Sequence, residues 1–242
     1  MRLIVAVALE TAQIPHDYRS IITTMLRDGF KRHGVAADYE KYFASGVQPY
    51  GFSVYLPKSR FERMIMLESA KVKIIFSTCE KSCYADFKAL FDAMLGEKMD
   101  MADNKWTVRY VADVAEKEIK GNKIHVRMLS PLVVMRQEDE GEGKVHLLGM
   151  RDADFEATLN QSVQKQAKAL LNMPPEKARL QVSPCEEGFR AKDVHVLHEG
   201  IYLRSTVGDM MLTAVPDLLK MLYECGMGEM REKGFGLFEV VE

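Results

Sequence analysis

The sequence predicts an α+β protein in which one order of strands and helices occurs twice. A buried-strand pattern opens the chain at residues 3–9, and apolar residues with helical spacing follow at 21–30. Two strands, a second helix and a further strand complete the first half, and the second half partly repeats this order. Strand, helix, strand, strand, helix, strand is the split βαβ or ferredoxin-like (RRM-like) plan, so we expect two such domains in tandem.

In the first half, Pro15 is expected to open the first helix and Gly34 to close it, because glycine tolerates the left-handed conformation that ends many helices. Strands are then predicted at residues 51–56, 63–67, 72–77 and 106–111. The second helix precedes the last of these strands, where apolar residues have helical spacing: Tyr84, Phe87, Leu90, Phe91, Met94 and Leu95.

In the second half, residues 123–135 are strand-like, and Pro131 predicts a break or an edge position because proline cannot donate to a ladder. Helices are expected at 152–171 and around 218–223, the latter ending at Gly226. Further strands are predicted at 145–148, 178–182, 191–197, 201–206 and 237–241.

The charged segment 116–122 is the best candidate for a linker. It divides the chain into an N-terminal domain, residues 1–117, and a C-terminal domain, residues 118–242, which contains a glycine-rich loop at 226–236. The segment 137–144, with four acidic residues and two glycines, is predicted to be a solvated turn.

Composition gives few signals about partners. The chain of 242 residues has 33 Lys and Arg against 35 Asp and Glu, so any nucleic-acid binding must come from local patches. The four cysteines show no metal-ligand spacing, so buried thiols in a reducing cytoplasm are expected, with no metal and no cofactor. No apolar run reaches the length of a membrane span, so no membrane partner is expected.

The most specific local feature is the glycine-rich loop. Two Gly-apolar-Gly units, at 226–228 and 234–236, flank five residues that include Arg231 and Lys233. Glycines allow positive φ and close backbone approach, so the loop could turn its N–H groups toward an anion while the two cations supply charge. This predicts contact with a phosphodiester backbone or a structural platform for it. A dinucleotide-binding fingerprint is excluded by order, because this loop follows a helix and opens a strand.

This doubled glycine signature resembles that of the CRISPR repeat-processing endoribonucleases, which are members of the RAMP superfamily. Residues 76–79 (FSTC) and 128–134 (MLSPLVV) also resemble the family, and the similarity spans most of the chain. The resemblance implies two ferredoxin-like domains with a cleft between them. It also implies cleavage of precursor CRISPR RNA within the repeats without a metal, leaving 2′,3′-cyclic phosphate and 5′-hydroxyl ends.

Such a reaction needs a base for the ribose 2′-hydroxyl, an acid for the leaving oxygen and cations for the phosphate. Relatives commonly place a catalytic histidine between the first helix and the second strand, but residues 39–48 contain none. The catalytic candidates are therefore His33, which lies among cations at the end of the first helix, and Tyr42 and Lys41 in the connection. His16 is expected to cap the helix, and the remaining histidines are expected to be ordinary edge or surface residues: His125, His146, His195 and His198.

The expected partner is a CRISPR repeat transcript, and effector-complex proteins and a homodimer are left open. The residues expected to bind RNA are Gly226, Gly228, Arg231, Lys233, Gly234, Gly236, Arg27, Lys31 and Arg32. Two alternatives follow from the missing histidine and the shared module: a catalytically inactive RNA-binding protein, or a structural subunit of a CRISPR effector complex. An unrelated ferredoxin-like enzyme also stays open, because a fold does not fix a function.

Overall fold

A computed structural model describes residues 1–137, 145–185, 188 and 190–241. The helices are α1 (Tyr18–His33), α2 (Lys81–Ala93), α3 (Phe155–Leu171) and α4 (Pro216–Cys225), with short 3₁₀ helices at Tyr39–Phe43 and Arg231–Lys233. The strands are β1 (Arg2–Leu9), β2 (Gln13–Ile14), β3 (Tyr50–Tyr55), β4 (Arg60–Phe61), β5 (Ile65–Met66), β6 (Lys71–Thr78), β7 (Lys98–Met101), β8 (Asn104–Val114), β9 (Lys123–Met128), β10 (Val134–Gln137), β11 (Val145–Leu148), β12 (Gln181–Pro184), β13 (Lys192–His198), β14 (Ile201–Val207), β15 (Asp209–Thr213) and β16 (Phe238–Val241). The turn predicted at 137–144 lies, apart from its first residue, outside the described residues.

The N-terminal half forms a five-stranded antiparallel sheet in the order β3-β6-β1-β8-β7. Its first four strands have the ferredoxin-like arrangement, in which the first and third strands of the motif are central. Helices α1 and α2 cover one face, because alternate residues of β1 and β6 and one stripe of each helix are apolar. An aromatic cluster fills this core, with the rings of Phe76 and Phe87 stacked at 4.2 Å.

The C-terminal half repeats the arrangement in a four-stranded sheet of order β12-β15-β9-β16, covered by α3 and α4. Two hairpins interrupt the motif: β10–β11 follows β9, and β13–β14 follows β12. The prediction of tandem ferredoxin-like domains is thereby confirmed. The boundary at residue 117 stays a prediction: the last strand of the first sheet ends at Val114, and the second sheet begins at Lys123.

One strand prediction needs correction. The strand predicted at 63–67 is short and belongs to a separate sheet of order β2-β5-β4. The strands predicted at 191–197 and 201–206 are present and pair with each other. The third strand of the second motif is β15, which the sequence did not predict. Only Gly208, at φ 114°, separates it from β14, so the two strands follow each other in sequence almost without interruption.

The two domains are joined by polar contacts as well as by packing. The guanidinium of Arg2, buried on β1, donates to the carbonyl oxygens of Tyr223 and Phe238 at 2.5 and 2.7 Å. The thiol of Cys225 donates to the carbonyl of Pro49 at 3.1 Å. These contacts bring the end of α4 and the loop after it onto the beginning of β3. Within the described residues, no helix combines the length and the apolar character needed to span a membrane.

Candidate functional site

The glycine-rich loop needs its glycines because it lies against backbone. Gly236 has a φ of 69°, and a Cβ there would lie 2.0 Å from the carbonyl oxygen of Met227. Gly228 has a φ of 78°, and its Cβ would lie 2.5 Å from the carbonyl oxygen of Val133. Side chains other than glycine would be strained at these φ values and would also clash. The loop is therefore a tightly packed structural element.

Three of the four glycine N–H groups of this loop bond inside the protein and do not face an anion, which corrects the sequence-based expectation for them. The amide of Gly226 donates to the carbonyl of Leu222 at 2.8 Å, and that of Gly236 donates to Pro131 at 2.9 Å. The amide of Gly234 donates to Arg231 within the loop at 3.1 Å. These three donors are therefore used inside the protein.

Arg231 is also internal, which corrects its prediction as an RNA contact. Its guanidinium is buried and donates to the carbonyl of Cys225 at 3.2 Å. Burial lowers the pKa of Arg231, and the thiol of Cys225 is the largest opposing influence. The carbonyl of Arg231 lies 3.4 Å from the place where a Cβ on Gly51 would stand. The residue therefore holds the loop against β3.

Two cations connect this loop with α1 and with the β13–β14 hairpin. Arg19 of α1 donates to the carbonyl of Gly234 at 3.0 Å, and its guanidinium lies 4.7 Å over the ring of Phe235. Lys233 is more exposed, and its ammonium lies 3.2 Å from a carboxylate oxygen of Glu199 at the tip of the hairpin. Lys233 is thus the cation of the loop that can reach solvent and a ligand.

A histidine from the hairpin lies behind that ion pair. The side chain of His198 is 2 % exposed, and its Nδ1 lies 3.3 Å from both Ser20 Oγ and Asp17 Oδ1. Its ring centroid lies 5.3 Å from that of Phe235, and its Nε2 is buried with no hydrogen-bond partner in the part of the chain that the structure describes. Burial lowers the pKa of His198. The expectation that this histidine is an edge or surface residue is therefore wrong, because it is enclosed between α1 and the glycine-rich loop.

Tyr42 does not fit its predicted catalytic role. Its ring is buried in the aromatic core, and its hydroxyl donates to Asp86 at 2.6 Å. Burial first, and then the hydrogen bond to Asp86, raise the pKa of Tyr42, so its phenolate is disfavoured. Lys41 lies 4.9 Å over the Tyr42 ring and pairs with Asp38 at 2.8 Å, a hydrogen bond that raises the pKa of Lys41. Lys41 is therefore a protonated cation and no proton acceptor.

His33 lies at the other end of α1, and its partner is an acid. Its Nε2 is 2.9 Å from a carboxylate oxygen of Glu97, and Arg32 pairs with the same carboxylate. The sequence had placed His33 among cations, but the fold brings Glu97 onto it from the loop after α2. Of the three predicted catalytic residues, Lys41 and Tyr42 therefore lie together, whereas His33 contacts Glu97.

Arg27 and Lys31 are exposed cations of α1. Arg27 is half exposed, with its guanidinium 4.8 Å over the ring of Phe43, and Lys31 follows one turn later. Burial raises the pKa of Tyr50 well above its usual value, Glu232 raises it further, and Arg27 and Arg231 oppose this. The phenol of Tyr50, at the start of β3, is therefore held in its neutral form.

A cavity of about 280 Å³ opens between the domains, beside the glycine-rich loop. Its walls are Gly46 and Val47 of the connection before β3, Lys165 on α3, and residues 228–232 of the glycine-rich loop. The amide of Gln166 on α3 donates to the carbonyl of Gly226 at 2.9 Å and holds this wall. The cavity therefore lies between the connection before β3 and the glycine-rich loop.

Residues 114–240 match the family model described as CRISPR associated protein Cas6, C-terminal. Three solved structures are similar over the whole chain. A protein described as a Cas6-related gene product from Pyrococcus furiosus has a TM-score of 0.88 at 19% identity, covering 100% of this chain and 98% of that one. A RAMP protein described as binding different RNA substrates has a TM-score of 0.86 at 18% identity, with both chains covered completely.

The third structure, described as CRISPR associated protein Cas6, has a TM-score of 0.78 at 19% identity and covers 100% of this chain and 99% of its own. At these identities the three structures establish the fold alone. Among curated proteins, none matches this chain in sequence. The sequence-based resemblance to the repeat-processing family is confirmed by the family match, which covers more than half of the chain.

Proposed function

The chain belongs to the family of the CRISPR-associated protein Cas6, and on that premise we propose that it is an endoribonuclease that cleaves precursor CRISPR RNA within its repeats. The cleavage needs no metal. The 2′-hydroxyl attacks the adjacent phosphorus, the bond to the 5′-oxygen breaks, and the products carry 2′,3′-cyclic phosphate and 5′-hydroxyl ends.

One observation carries this proposal. The glycine-rich loop of the second domain packs on α1 and β3 of the first, and both the loop and α1 carry cations. Lys233 contributes from the loop, and Arg27 and Lys31 contribute from α1. Cations on two elements that pack together can contact phosphates of a single RNA strand and balance the charge that develops during cleavage.

Among the predicted catalytic residues, His33 and Lys41 stay proposals, since both side chains are partly exposed. Tyr42 is withdrawn because its hydroxyl is committed to Asp86. The proposed RNA contacts are Lys233, Arg27, Lys31 and Arg32, while Arg231 and the four glycines shape the surface. This division separates residues that touch RNA from residues that position them.

The direct experiment incubates purified protein with repeat RNA in excess EDTA. Cleavage at one position is expected, with product ends identified as 2′,3′-cyclic phosphate and 5′-hydroxyl. A matched RNA with a 2′-deoxy substitution before the scissile phosphate should stay intact, because the attacking hydroxyl is missing. Intact RNA over a wide range of repeats, from a folded protein that binds them, contradicts the proposal.

A second candidate function is RNA binding without cleavage. Two observations favour it: residues 39–48 lack a histidine, and Tyr42 and His33 are occupied by acidic partners. This function predicts an affinity for repeat RNA that falls steeply with salt, as phosphate contacts require, and no product under any condition. Product formation in the EDTA experiment excludes it.

A further inference from the structure

We propose that His198, oriented by Asp17, accepts the proton of the 2′-hydroxyl during RNA cleavage, and that the Glu199–Lys233 ion pair covers it until RNA binds. This inference rests on the proposed function and assigns its general base. It places that base on the second domain, at the opposite end of α1 from His33.

The hydrogen-bond network fixes the tautomer of the imidazole. Ser20 Oγ lies 2.7 Å from Asp17 Oδ1 and uses its one proton in that bond. Ser20 Oγ and Asp17 Oδ1 can then only accept from His198 Nδ1, which lies 3.3 Å from each of them. The ring proton is therefore on Nδ1, and Nε2 carries a bare lone pair. A carboxylate that holds Nδ1–H and leaves Nε2 free is the arrangement that serves a general base.

Among the described residues, the free nitrogen has no hydrogen-bond partner. Buried polar atoms normally have a hydrogen-bond partner, and an exception calls for an explanation. His198 Nε2 is buried without one, although the same ring makes two polar contacts through Nδ1. A ribose hydroxyl is a donor that Nε2 could accept from, so the unused acceptor matches the group that the reaction must deprotonate.

The charged groups around the ring come from three elements. Asp17 lies at the start of α1, Glu199 follows His198 in the hairpin, and Lys233 belongs to the glycine-rich loop. The guanidinium of Arg19 lies over the far ring, Phe235. Burial lowers the pKa of His198, Lys233 lowers it further, and the two carboxylates oppose this. An imidazole whose pKa lies below its usual value near 6.5 is neutral, and able to accept a proton, at pH 7.

The cover over Nε2 is an exposed ion pair. Glu199 Oε1 lies 4.0 Å from Nε2, and the side chains of Lys233 and Glu199 are 31 % and 57 % exposed. Exposed ion pairs contribute little to stability and are screened by salt. A phosphate of the RNA competes with the Glu199 carboxylate for Lys233. When the phosphate wins, the carboxylate leaves and the adjacent ribose gains access to the imidazole.

Nε2 takes the proton of the 2′-hydroxyl, the resulting oxyanion forms a bond to phosphorus, and the bond from phosphorus to the 5′-oxygen breaks. The leaving oxygen takes a proton from water, and the imidazolium returns its proton to solvent. Lys233 stays beside the phosphate and balances the charge on its oxygens.

The test compares single-turnover cleavage of repeat RNA, in EDTA and at saturating protein, by wild type and by His198→Gln, Asp17→Asn and His195→Gln. His195 is the matched control, because it lies on the same hairpin but is exposed. His198→Gln is expected to lower the rate at least about 100-fold. Asp17→Asn is expected to lower it about tenfold, and His195→Gln less than about twofold. Thermal unfolding and RNA affinity are measured for each variant.

A pH profile separates catalysis from a structural role. The wild-type rate should rise with pH and level off near neutrality, and His198→Gln should lack this acidic limb. If His198→Gln does not fold, the pH profile of Asp17→Asn tests the proposal instead. Loss of the carboxylate should lower the pKa of His198 and move the acidic limb of the rate profile to lower pH. Glu199→Gln, which removes the competitor for Lys233, should bind repeat RNA about threefold more tightly.

The outcomes distinguish this inference from the proposed function. Full activity in His198→Gln overturns the inference but does not contradict the proposed endoribonuclease function. A slow variant that keeps the acidic limb also overturns it, because another group would then be the base. If Glu199→Gln and wild type bind RNA equally well, the Glu199–Lys233 ion pair does not compete with RNA, and its proposed role as a cover over Nε2 is wrong. A folded wild type that cleaves no repeat RNA overturns the inference together with the proposed function.

Discussion

The two ends of α1 have opposite environments. At its N-terminal end, Arg19 and Ser20 are enclosed by the glycine-rich loop and by the tip of the β13–β14 hairpin, both from the second domain. At its C-terminal end, Lys31 and Arg32 are exposed, and Arg32 pairs with Glu97 of the first domain. One end is a buried polar network, and the other is an open basic surface.

This difference separates two requirements of an RNA-cleaving protein. Binding a flexible anion needs exposed cations, which the C-terminal end supplies. Proton transfer needs a group held in one orientation and one protonation state, which a buried network supplies. A histidine at the exposed end, such as His33, satisfies the first requirement better than the second. His198 at the enclosed end satisfies the second.

The largest expected effect compares two glycines with nearly the same backbone conformation. Gly236 has a φ of 69° and would place a Cβ 2.0 Å from a carbonyl oxygen, whereas Gly34, which ends α1, has a φ of 64° and open space around it. Gly236→Ala should therefore lower the free energy of unfolding by about 3 kcal/mol or more. Gly34→Ala should lower it by only about 1 to 2 kcal/mol, from left-handed strain alone. Urea unfolding measures both.

Equal losses from the two substitutions would mean that the loop relaxes away from the added methyl group. The enclosed end of α1 would then be looser than the contacts at Gly236 indicate. If Gly236→Ala loses more unfolding free energy than Gly34→Ala, the difference between the two losses gives the contribution of close packing at Gly236.

The next effect compares two arginines of the same helix. Arg19 is buried and donates to Gly234, whereas Arg27 is half exposed and lies 3.8 Å from Glu40. Arg19→Met should cost about 2 kcal/mol of unfolding free energy, because a charged hydrogen bond is lost and the carbonyl of Gly234 stays buried. Arg27→Met should change it by less than about 0.5 kcal/mol. A loss at Arg27 as large as that at Arg19 would contradict the contrast between the two ends.

RNA affinity should respond in the reverse order. Reversing charge with Lys31→Glu should weaken binding of repeat RNA about tenfold at moderate salt and reduce the dependence of log K on log salt by about 0.7, the value for one phosphate contact on a single strand. The control is Lys58→Glu, an exposed lysine in the turn after β3 that pairs with Glu68. Filter binding at several salt concentrations measures the slope. If Lys31→Glu and Lys58→Glu change RNA affinity and its salt dependence equally, RNA is attracted by net charge and not by a specific contact at Lys31.

The fold was largely predictable from sequence because both halves keep the apolar periodicity of strands and helices and the order of these elements. The prediction was incomplete around β15. A single residue, Gly208, carries the chain from the hairpin into the main sheet, and no local pattern marks that change of partner. Register and pairing depend on contacts that a short apolar run does not specify.

The site was less predictable for a related reason. The glycine-rich loop is evident from spacing, but its glycines allow close packing against backbone, and three of their N–H groups bond inside the protein rather than facing an anion. His198 has no distinguishing neighbour in sequence. Its partner Ser20 lies 178 residues away, and the cover from Lys233 comes from a third segment. Tyr42 was misjudged because burial, which decides its pKa, is set by the fold.

The smallest expected effect concerns pH and tests the enclosed end directly. Burial lowers the pKa of His198 in the folded protein, so unfolding releases a histidine that binds a proton more readily. The neutral ring therefore contributes stability that is present above the unfolded pKa, about 6.5, and that is lost as the pH falls through the lower folded value. The free energy of unfolding of wild type should fall more between pH 7 and pH 5 than that of His198→Gln.

The control is His195→Gln, which removes an exposed imidazole from the same hairpin and should keep the wild-type pH dependence. Other carboxylates and histidines titrate in this range, so the difference between two variants is informative where the wild-type curve alone is not. If wild type and His198→Gln lose the same stability on acidification, the ring is not held neutral at the enclosed end. A larger loss for His198→Gln would mean that Asp17 and Glu199 outweigh burial and that the imidazole is charged in the folded protein, which would leave it unable to accept a proton.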